Sequence, residues 1–315
     1  MIHTRKLRRV FKGRRSTVEA VAGVDLDVHT GEIFGFLGPN GAGKTTTLRM
    51  LSTLMPPTSG QATVAGHDLL REPARVRERI GYVSQEGSSY EDVTGRRELV
   101  IQGRLYGMSR AQAVARAVEL LERLELNDCA DRKTKTYSGG QKRRLDVGIG
   151  LMHLPDLLFL DEPTTGLDPQ SRARMWDEVR HLRDTGTTVF LTTHYLEEAD
   201  ALCDRIAIID HGRIVAEGTP DELKRQVAGD VVLVGADGGS ESVARVLTGQ
   251  PFVRELSTEE GGVRLYVDRG ETAMPQILRM LDAAGVPVTT LSLHRPSLDD
   301  VFFRKTGRSL RETAA

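Results

Sequence analysis

Two cysteines in 315 residues, Cys129 and Cys203, are too few and too far apart for a disulfide framework or a thiolate metal site. They read as reduced packing residues of a cytosolic protein. No apolar run approaches the roughly 18 residues of a membrane span, so no transmembrane segment is expected. A net charge of −1 gives no support for a global nucleic-acid binder, and no nucleic-acid partner is expected. There is no internal repeat and no low-complexity segment, which leaves an ordinary globular chain. The N-terminus carries seven basic and no acidic residues from Arg5 to Arg15. Its Arg8-Arg9-Val10-Phe11-Lys12 resembles a twin-arginine export signal, but Glu19, Asp25 and Asp27 interrupt the apolar stretch such a signal needs. The basic run reads as a solvated edge strand and turn, with contact to anionic lipid or nucleotide as the alternative.

What is present is an average soluble composition, 39% hydrophobic and 28% charged, with enough apolar residues for a sizeable core. The length favours about two domains. One stretch dominates the rest: Gly38-Pro39-Asn40-Gly41-Ala42-Gly43-Lys44-Thr45-Thr46, a G-x-x-x-x-G-K-T phosphate-binding loop. The apolar run Glu32 to Leu37 predicts a buried strand before it, and Thr45 to Leu54 a short helix after it. Such glycines let successive N–H groups turn inward, and the helix N-terminus adds partial positive charge beneath the phosphates. Lys44 can reach the β- and γ-phosphates, and the Thr45 hydroxyl can hold Mg²⁺.

Further along, Leu157 to Leu160 reads as a strand buried on both faces, ending at Asp161-Glu162. Asp161 is placed to reach the metal at Thr45, and Glu162 to act as general base on the attacking water. Gln85 ends the predicted strand Ile80 to Val83, where its amide can meet metal or water. His194 follows the strand Thr187 to Thr192 and can reach the γ-phosphate, although a lone histidine is more often structural. Ser138-Gly139-Gly140 opens a helix with no strand before it: a second anion-binding helix end, or simply a helix cap. The region 86–154 has helical spacing, with a capping box at Ser109 and Gln112 and an apolar face of Val114, Ala117, Leu121 and Leu124. In the strand 18–28 the apolar signal is Val18, Val21, Val24, Leu26 and Val28. After Gly229 the order β-α-β-β-α-β predicts a small ferredoxin-like domain, closed by a helix from Ser297 to Thr306. The expected boundaries are 1–226 and 229–306, with a tail at 307–315.

Together these motifs resemble the ATP-binding subunit of an ABC transporter. Gly38–Thr46 matches the Walker A loop, Gln85 the Q-loop and Tyr137-Ser138-Gly139-Gly140-Gln141 the signature. Leu157–Asp161 with Glu162 matches Walker B and its catalytic glutamate, Gly166-Leu167-Asp168 the D-loop, and His194 the switch histidine. Two positions depart from the pattern: Tyr137 stands where Leu is common, and Phe11 is the candidate adenine-stacking residue where Tyr is common. The resemblance implies an α/β phosphate-loop core with antiparallel β and helical parts. It implies a homodimer holding ATP and Mg²⁺ between Walker A of one subunit and Ser138–Gly140 of the other, with Asp168 communicating across the interface. It also implies a separate membrane permease of about six spans, touched by residues 86–107, and a place at the cytoplasmic face of a bacterial membrane. Tyr195-Leu196-Glu197-Glu198-Ala199-Asp200, Pro296–Phe303 and the signature read Y-S-G-G-Q-K-R-R are similar to the daunorubicin/doxorubicin-resistance type of exporter ATPase. That narrower likeness implies export of a drug, antibiotic or lipid. Residues 229–306 show no catalytic constellation; Phe302 and Phe303 are either apolar anchors for a partner or ordinary core. The rivals are a soluble family member acting on ribosomes or DNA, against which stand the single cassette and the absence of a heptad run, and a non-hydrolysing regulator, against which stand Glu162 and His194.

Overall fold

The computed structural model describes residues 1–13, 17–226, 229–236, 239–259, 262–294 and 296–307. It divides into two units, Met1–Pro220 and Asp221–Ser309. The first begins with β1 (Ile2–Lys12), β2 (Thr17–Val28), β3 (Ile33–Leu37), α1 (Lys44–Leu51), β4 (Ser59–Val64), β5 (His67–Asp68), α2 (Pro73–Arg79) and β6 (Ile80–Val83). A mainly helical stretch follows, with α3 (Gly95–Leu105), α4 (Arg110–Arg123) and α5 (Gly139–Leu151). The chain then returns through β7 (Leu157–Asp161), α6 (Pro169–Asp184), β8 (Thr188–Thr193), α7 (Leu196–Leu202), β9 (Arg205–Asp210) and β10 (Arg213–Gly218), and α8 (Pro220–Gln226) begins at the unit boundary and belongs to the second unit from Asp221 on.

Two sheets result. One is antiparallel, ordered β2-β1-β4-β5. The other is ordered β10-β9-β3-β8-β7-β6, parallel except at its β10 edge. Leu48, Met50 and Leu51 of α1 join a core shared by both sheets, with Ile2, Val24, Phe34, Phe36, Phe159 and Phe190. Every residue of β3, β7 and β8 is buried, as strands covered on both faces require. The α4 capping box forms as its sequence predicts. Its buried face is Ala113, Ala117, Leu120 and Leu121; Val114, expected inside, is 41% exposed. Ala117, Leu121 and Leu124 of the expected face are buried; at its first turn the stripe runs through Ala113 in place of Val114. Val18, part of the apolar signal of β2, is 56% exposed. The pairing of β1 and β2 slips between Arg9 and Val10, which changes the alternation at that end.

The second unit contains β11 (Asp230–Ala236), α9 (Gly239–Leu247), β12 (Val253–Glu259), β13 (Gly262–Val267), α10 (Gly270–Ala283), β14 (Val288–His294) and α11 (Leu298–Thr306). Its sheet is ordered β12-β13-β11-β14 and all its pairs are antiparallel. That is the split β-α-β arrangement of a ferredoxin-like domain. Val243 and Leu247 of α9 and Ala273, Ile277 and Leu281 of α10 share one core with Val232, Val234, Val263, Leu265 and Val267 of the sheet. Phe302 is fully buried, whereas Phe303 is 57% exposed, so only the first of the pair is core. Among the described residues no helix is long and apolar enough to cross a membrane.

Candidate nucleotide site

Sheet order, not sequence order, assembles the site. Strands β3, β8, β7 and β6 are neighbours, and their C-terminal ends lead into Gly38, His194, Asp161-Glu162 and Gln85. Ligands of open α/β sheets gather at such ends. The phosphate loop leaves β3 and enters α1 at Lys44. Gly38 cannot carry a side chain, because a Cβ there would lie 2.3 Å from the Ile209 carbonyl oxygen. Gly43 has φ +105° and faces the Ala20 carbonyl, which an added Cβ would meet at 2.4 Å. The loop is thus pinned in shape by the strands behind it.

Lys44 is 4% exposed. Its ammonium donates to the carbonyls of Gly38 (2.8 Å) and Pro39 (3.1 Å) and lies 3.3 Å from Glu162 Oε1. Burial lowers the Lys44 pKa, against the opposing pull of Glu162 and Asp161. Thr45 donates to Asp161 Oδ1 at 3.2 Å, and Thr192 donates to the same oxygen at 2.6 Å. A threonine hydroxyl beside a buried carboxylate is an oxygen donor set of the kind Mg²⁺ takes alongside phosphate oxygens. Among the described residues no group of three or more His, Cys, Asp or Glu could hold a metal by itself.

Glu162 is 6% exposed and sits at φ +47°, a left-handed conformation costly for a non-glycine residue. Its Oε2 accepts from Gln85 Nε2 (3.1 Å) and Thr165 Oγ1 (3.2 Å), and His194 Nδ1 lies 3.2 Å away. Burial pushes the Glu162 pKa up, but His194 and Lys44 outweigh it and bring the value to about 2. The His194 ring lies against Tyr195, with centroids 4.1 Å apart. Gln85 therefore meets Glu162 through its amide nitrogen. Phe11, Val18, Pro39, Asn40, Gly41, Thr46 and Glu162 line a cavity of about 570 Å³ over the loop. Phe11 is 37% exposed, and the Arg9 guanidinium sits 4.8 Å from its ring centroid. Ala42 is buried within the loop.

Ser138, Gly139 and Gly140 form a separate feature at the start of α5. The Ser138 hydroxyl accepts from Gln141 N (3.2 Å) and Gln141 Oε1 accepts from Ser138 N (2.9 Å), a complete capping box. Ser138 and Gly139 are exposed. Gly140 is buried, and a Cβ there would come within 2.5 Å of Ser171 Oγ. Asp168 caps α6 by accepting from Ser171 N at 2.8 Å, and the Ser171 backbone and hydroxyl hydrogen bonds lower its pKa. Tyr137 points inward; its hydroxyl donates to the Cys129 carbonyl at 2.7 Å.

Three contributors escaped the sequence reading. Thr192 holds Asp161 and, through its hydroxyl and carbonyl, the Glu162 N–H. Its signal was a pair of threonines ending an apolar strand just before His194. Arg143, 7% exposed, donates to the carbonyls of Ser84, Asp161 and Pro163. Asp146 accepts from Ser88 N (2.9 Å) and Ser89 N (3.2 Å). The hint for these two was charged residues in the middle of a helix that the fold buries almost completely.

Comparison with known proteins agrees with this geometry. Residues 21–165 match the ABC transporter family model, and residues 218–306 match that of the ATP-binding protein DrrA1-3-like, C-terminal domain. The chain is 46% identical to the daunorubicin/doxorubicin resistance ATP-binding protein DrrA of Streptomyces peucetius, over 99% of this chain and 96% of that protein. It is 36% identical to the linearmycin resistance ATP-binding protein LnrL of Bacillus subtilis, over 99% and 100% respectively. Among solved structures, the ATP-binding cassette MJ0796, in a dimeric post-hydrolysis state bound to ADP and Pi, superposes with a TM-score of 0.65 at 25% identity. That match covers 70% of this chain and 98% of the cassette. A phosphate loop between strand and helix, a matched cassette and a matched C-terminal domain lead to one statement: the chain belongs to the ABC transporter ATP-binding subunits of the daunorubicin/doxorubicin-resistance type.

Proposed function

We propose that this exporter ATPase works as a pair of identical subunits, each holding ATP over its own phosphate loop and closing it with Ser138–Gly140 of the other. The observation that carries the reading is an asymmetry between the two glycine-rich elements. Gly38–Thr46 is surrounded by Lys44, Asp161, Glu162, Gln85 and His194, whereas Ser138 and Gly139 are exposed and capped only by Gln141. A helix N-terminus with free N–H groups suits a phosphate brought by a second subunit. The MJ0796 cassette is a dimer bound to ADP and Pi, which supports the same arrangement.

In this reading Phe11 stacks on the adenine. The loop N–H groups and Lys44 hold the phosphates. Thr45, Asp161 and Gln85 hold Mg²⁺, which would neutralise charge on the β- and γ-phosphates. A γ-phosphate that draws Lys44 away from Glu162 removes a cation from the carboxylate and raises its basicity. Glu162 then takes a proton from the attacking water, while His194 orients water and phosphate. Asp168 reports across the interface. The exposed Tyr90, Ile101, Leu105 and Tyr106 lie in or beside α3 and form an apolar surface for a separate permease of about six spans. In this reading the subunit works at the cytoplasmic face of the membrane. The cargo is a hydrophobic drug, antibiotic or lipid, by analogy with relatives named for daunorubicin/doxorubicin and linearmycin resistance.

The test is Glu162→Gln in the full chain. ATP binding should persist, phosphate release should fall by at least about 100-fold, and ATP should trap a dimer in sedimentation. Unchanged turnover would remove Glu162 as the base, and a strictly monomeric ATP complex would remove the shared site. Reconstitution with the permease and transport over a panel of drugs and lipids tests the cargo.

A further inference from the structure

Arg143 reaches three backbone carbonyls, and their positions matter more than their number. Nη2 donates to Asp161 O at 2.8 Å and Nε to Pro163 O at 2.8 Å. These residues flank Glu162, the one held at φ +47°. Nη1 donates to Ser84 O, the carbonyl just before Gln85. One turn further along α5, Asp146 takes the N–H groups of Ser88 and Ser89, so α5 grips the Gln85 segment on both sides. The planar guanidinium reaches the three carbonyls from three separate nitrogens, Nε, Nη1 and Nη2; an ammonium, whose three donors share one nitrogen, cannot span the same positions. Arg143 stands three residues beyond Gly140, in the helix whose exposed end carries Ser138 and Gly139.

We propose that Arg143 is a positioning residue for ATP hydrolysis: it fixes the backbone around Glu162 and beside Gln85, and so ties the hydrolytic residues of a subunit to that subunit's own signature helix. The inference rests on the assignment of Glu162 as base. Its consequence is directional. The signature end of α5 closes on the partner's nucleotide, so a shift of α5 on engagement is delivered through one rigid side chain to the subunit's own Glu162. Arg143 does not line the loop cavity, so ATP affinity does not depend on it.

The experiment compares Arg143→Lys, Arg143→Gln and Arg143→Ala with the wild-type full chain. It measures kcat and KM for ATP, thermal melting, and equilibrium ATP binding in a Glu162→Gln background. Arg143→Ala should lower kcat by about 100-fold, the scale of a small misplacement of reacting groups, with KM within about threefold. Arg143→Lys should recover less than about a tenth of wild-type kcat, because charge alone does not restore the geometry. Methylguanidinium should raise the rate of Arg143→Ala, and an equal concentration of methylammonium should not. ATP binding in the Glu162→Gln background should be unchanged by Arg143→Lys. A kcat for Arg143→Lys equal to wild type, or a parallel loss of ATP affinity, would overturn the proposal. So would loss of cooperative melting in all three variants, which would make Arg143 purely part of the fold. The parallel Glu162→Gln control separates the two claims. If it remains active, the base assignment fails; if it is dead while the Arg143 variants stay active, only the present inference fails.

Discussion

The two units bury different things. Every buried polar or charged side chain among the described residues lies between Thr4 and Asp210, within the first unit. The second unit packs Val232, Val234, Leu265, Ile277 and Leu281 into a core with no buried charge among its described residues. Burying charge opposes folding unless partners and hydrogen bonds compensate it. The first unit accepts that opposition at Lys44, Asp161, Glu162, Arg143, Asp146 and Glu198; under the proposed function, Lys44, Asp161 and Glu162 are the preorganised charge that phosphate chemistry needs. The second unit has no such demand, and its sequence follows the apolar pattern of its fold. On that proposal the contrast separates a part built for chemistry from a part built for packing.

The sharpest way to break the contrast is at Lys44. Lys44→Met should reduce ATP turnover by at least about 100-fold, as loss of a group aimed at transition-state charge does. It should also destabilise the first unit by on the order of 3 kcal/mol, because Glu162 then keeps its buried charge without its lysine. Lys44→Met with Glu162→Gln should regain part of that stability and none of the activity. The measurements are phosphate release and urea unfolding followed by hydrogen exchange in residues 33–37. If Lys44→Met leaves stability untouched, charge burial in the first unit is not costly and the comparison collapses.

The sequence carried most of the fold and named the residues that the structure gathers around the phosphate loop, for identifiable reasons. Strands buried on both faces announce themselves as unbroken apolar runs, so Ile33–Leu37 and Leu157–Asp161 were visible. The phosphate loop is a local motif whose chemistry needs no distant partner to be recognised. The capping box at Ser109 was visible because it depends on residues three apart, whereas at Ser138 only a helix cap was visible and the box with Gln141 emerged from the structure. What stayed hidden depends on sheet order and on backbone acceptors. No residue pattern shows that β8 lies between β3 and β7, and that adjacency is what brings Thr192 onto Asp161. Arg143 binds carbonyls, which every residue possesses, so its partners leave no mark in the sequence. Val114 went wrong because α4 is rich in alanine and valine on several faces, and the choice among adjacent stripes is made by tertiary packing.

The packing side of the contrast is tested at Ile277, fully buried on α10 against the second sheet. Ile277→Ala should destabilise the second unit by about 2–5 kcal/mol. Amide exchange should accelerate across residues 230–294 while residues 33–37 and 157–161 keep their protection. ATP affinity should stay within about twofold. If the first unit loosens equally, the two units share one cooperative transition, and the difference in what they bury does not translate into separate stability.

A smaller effect tests whether charge burial is costly even away from the nucleotide. Glu98 in α3 is 5% exposed; its Oε1 accepts from Tyr90 N at 2.8 Å and its Oε2 has no hydrogen-bond partner. Burial raises its pKa from 4.5 to about 7, with Asp146 adding to the rise and the Tyr90 N–H opposing it. A carboxyl with a raised folded-state pKa binds a proton that the unfolded chain has already released. Its contribution to stability is therefore complete below pH 4.5 and is lost as pH rises through about 7. Between pH 5 and pH 8 that loss is on the order of 2–3 kcal/mol. Glu98→Gln offers the Tyr90 N–H the same acceptor and never ionises, so it removes this pH dependence. Measured by urea unfolding, the variant should match the wild type near pH 5 and exceed it near pH 8. A constant difference at both pH values would mean that Glu98 stays ionised in the fold. The first unit would then hold charge under α3 without penalty, in conflict with what its other buried carboxylates require.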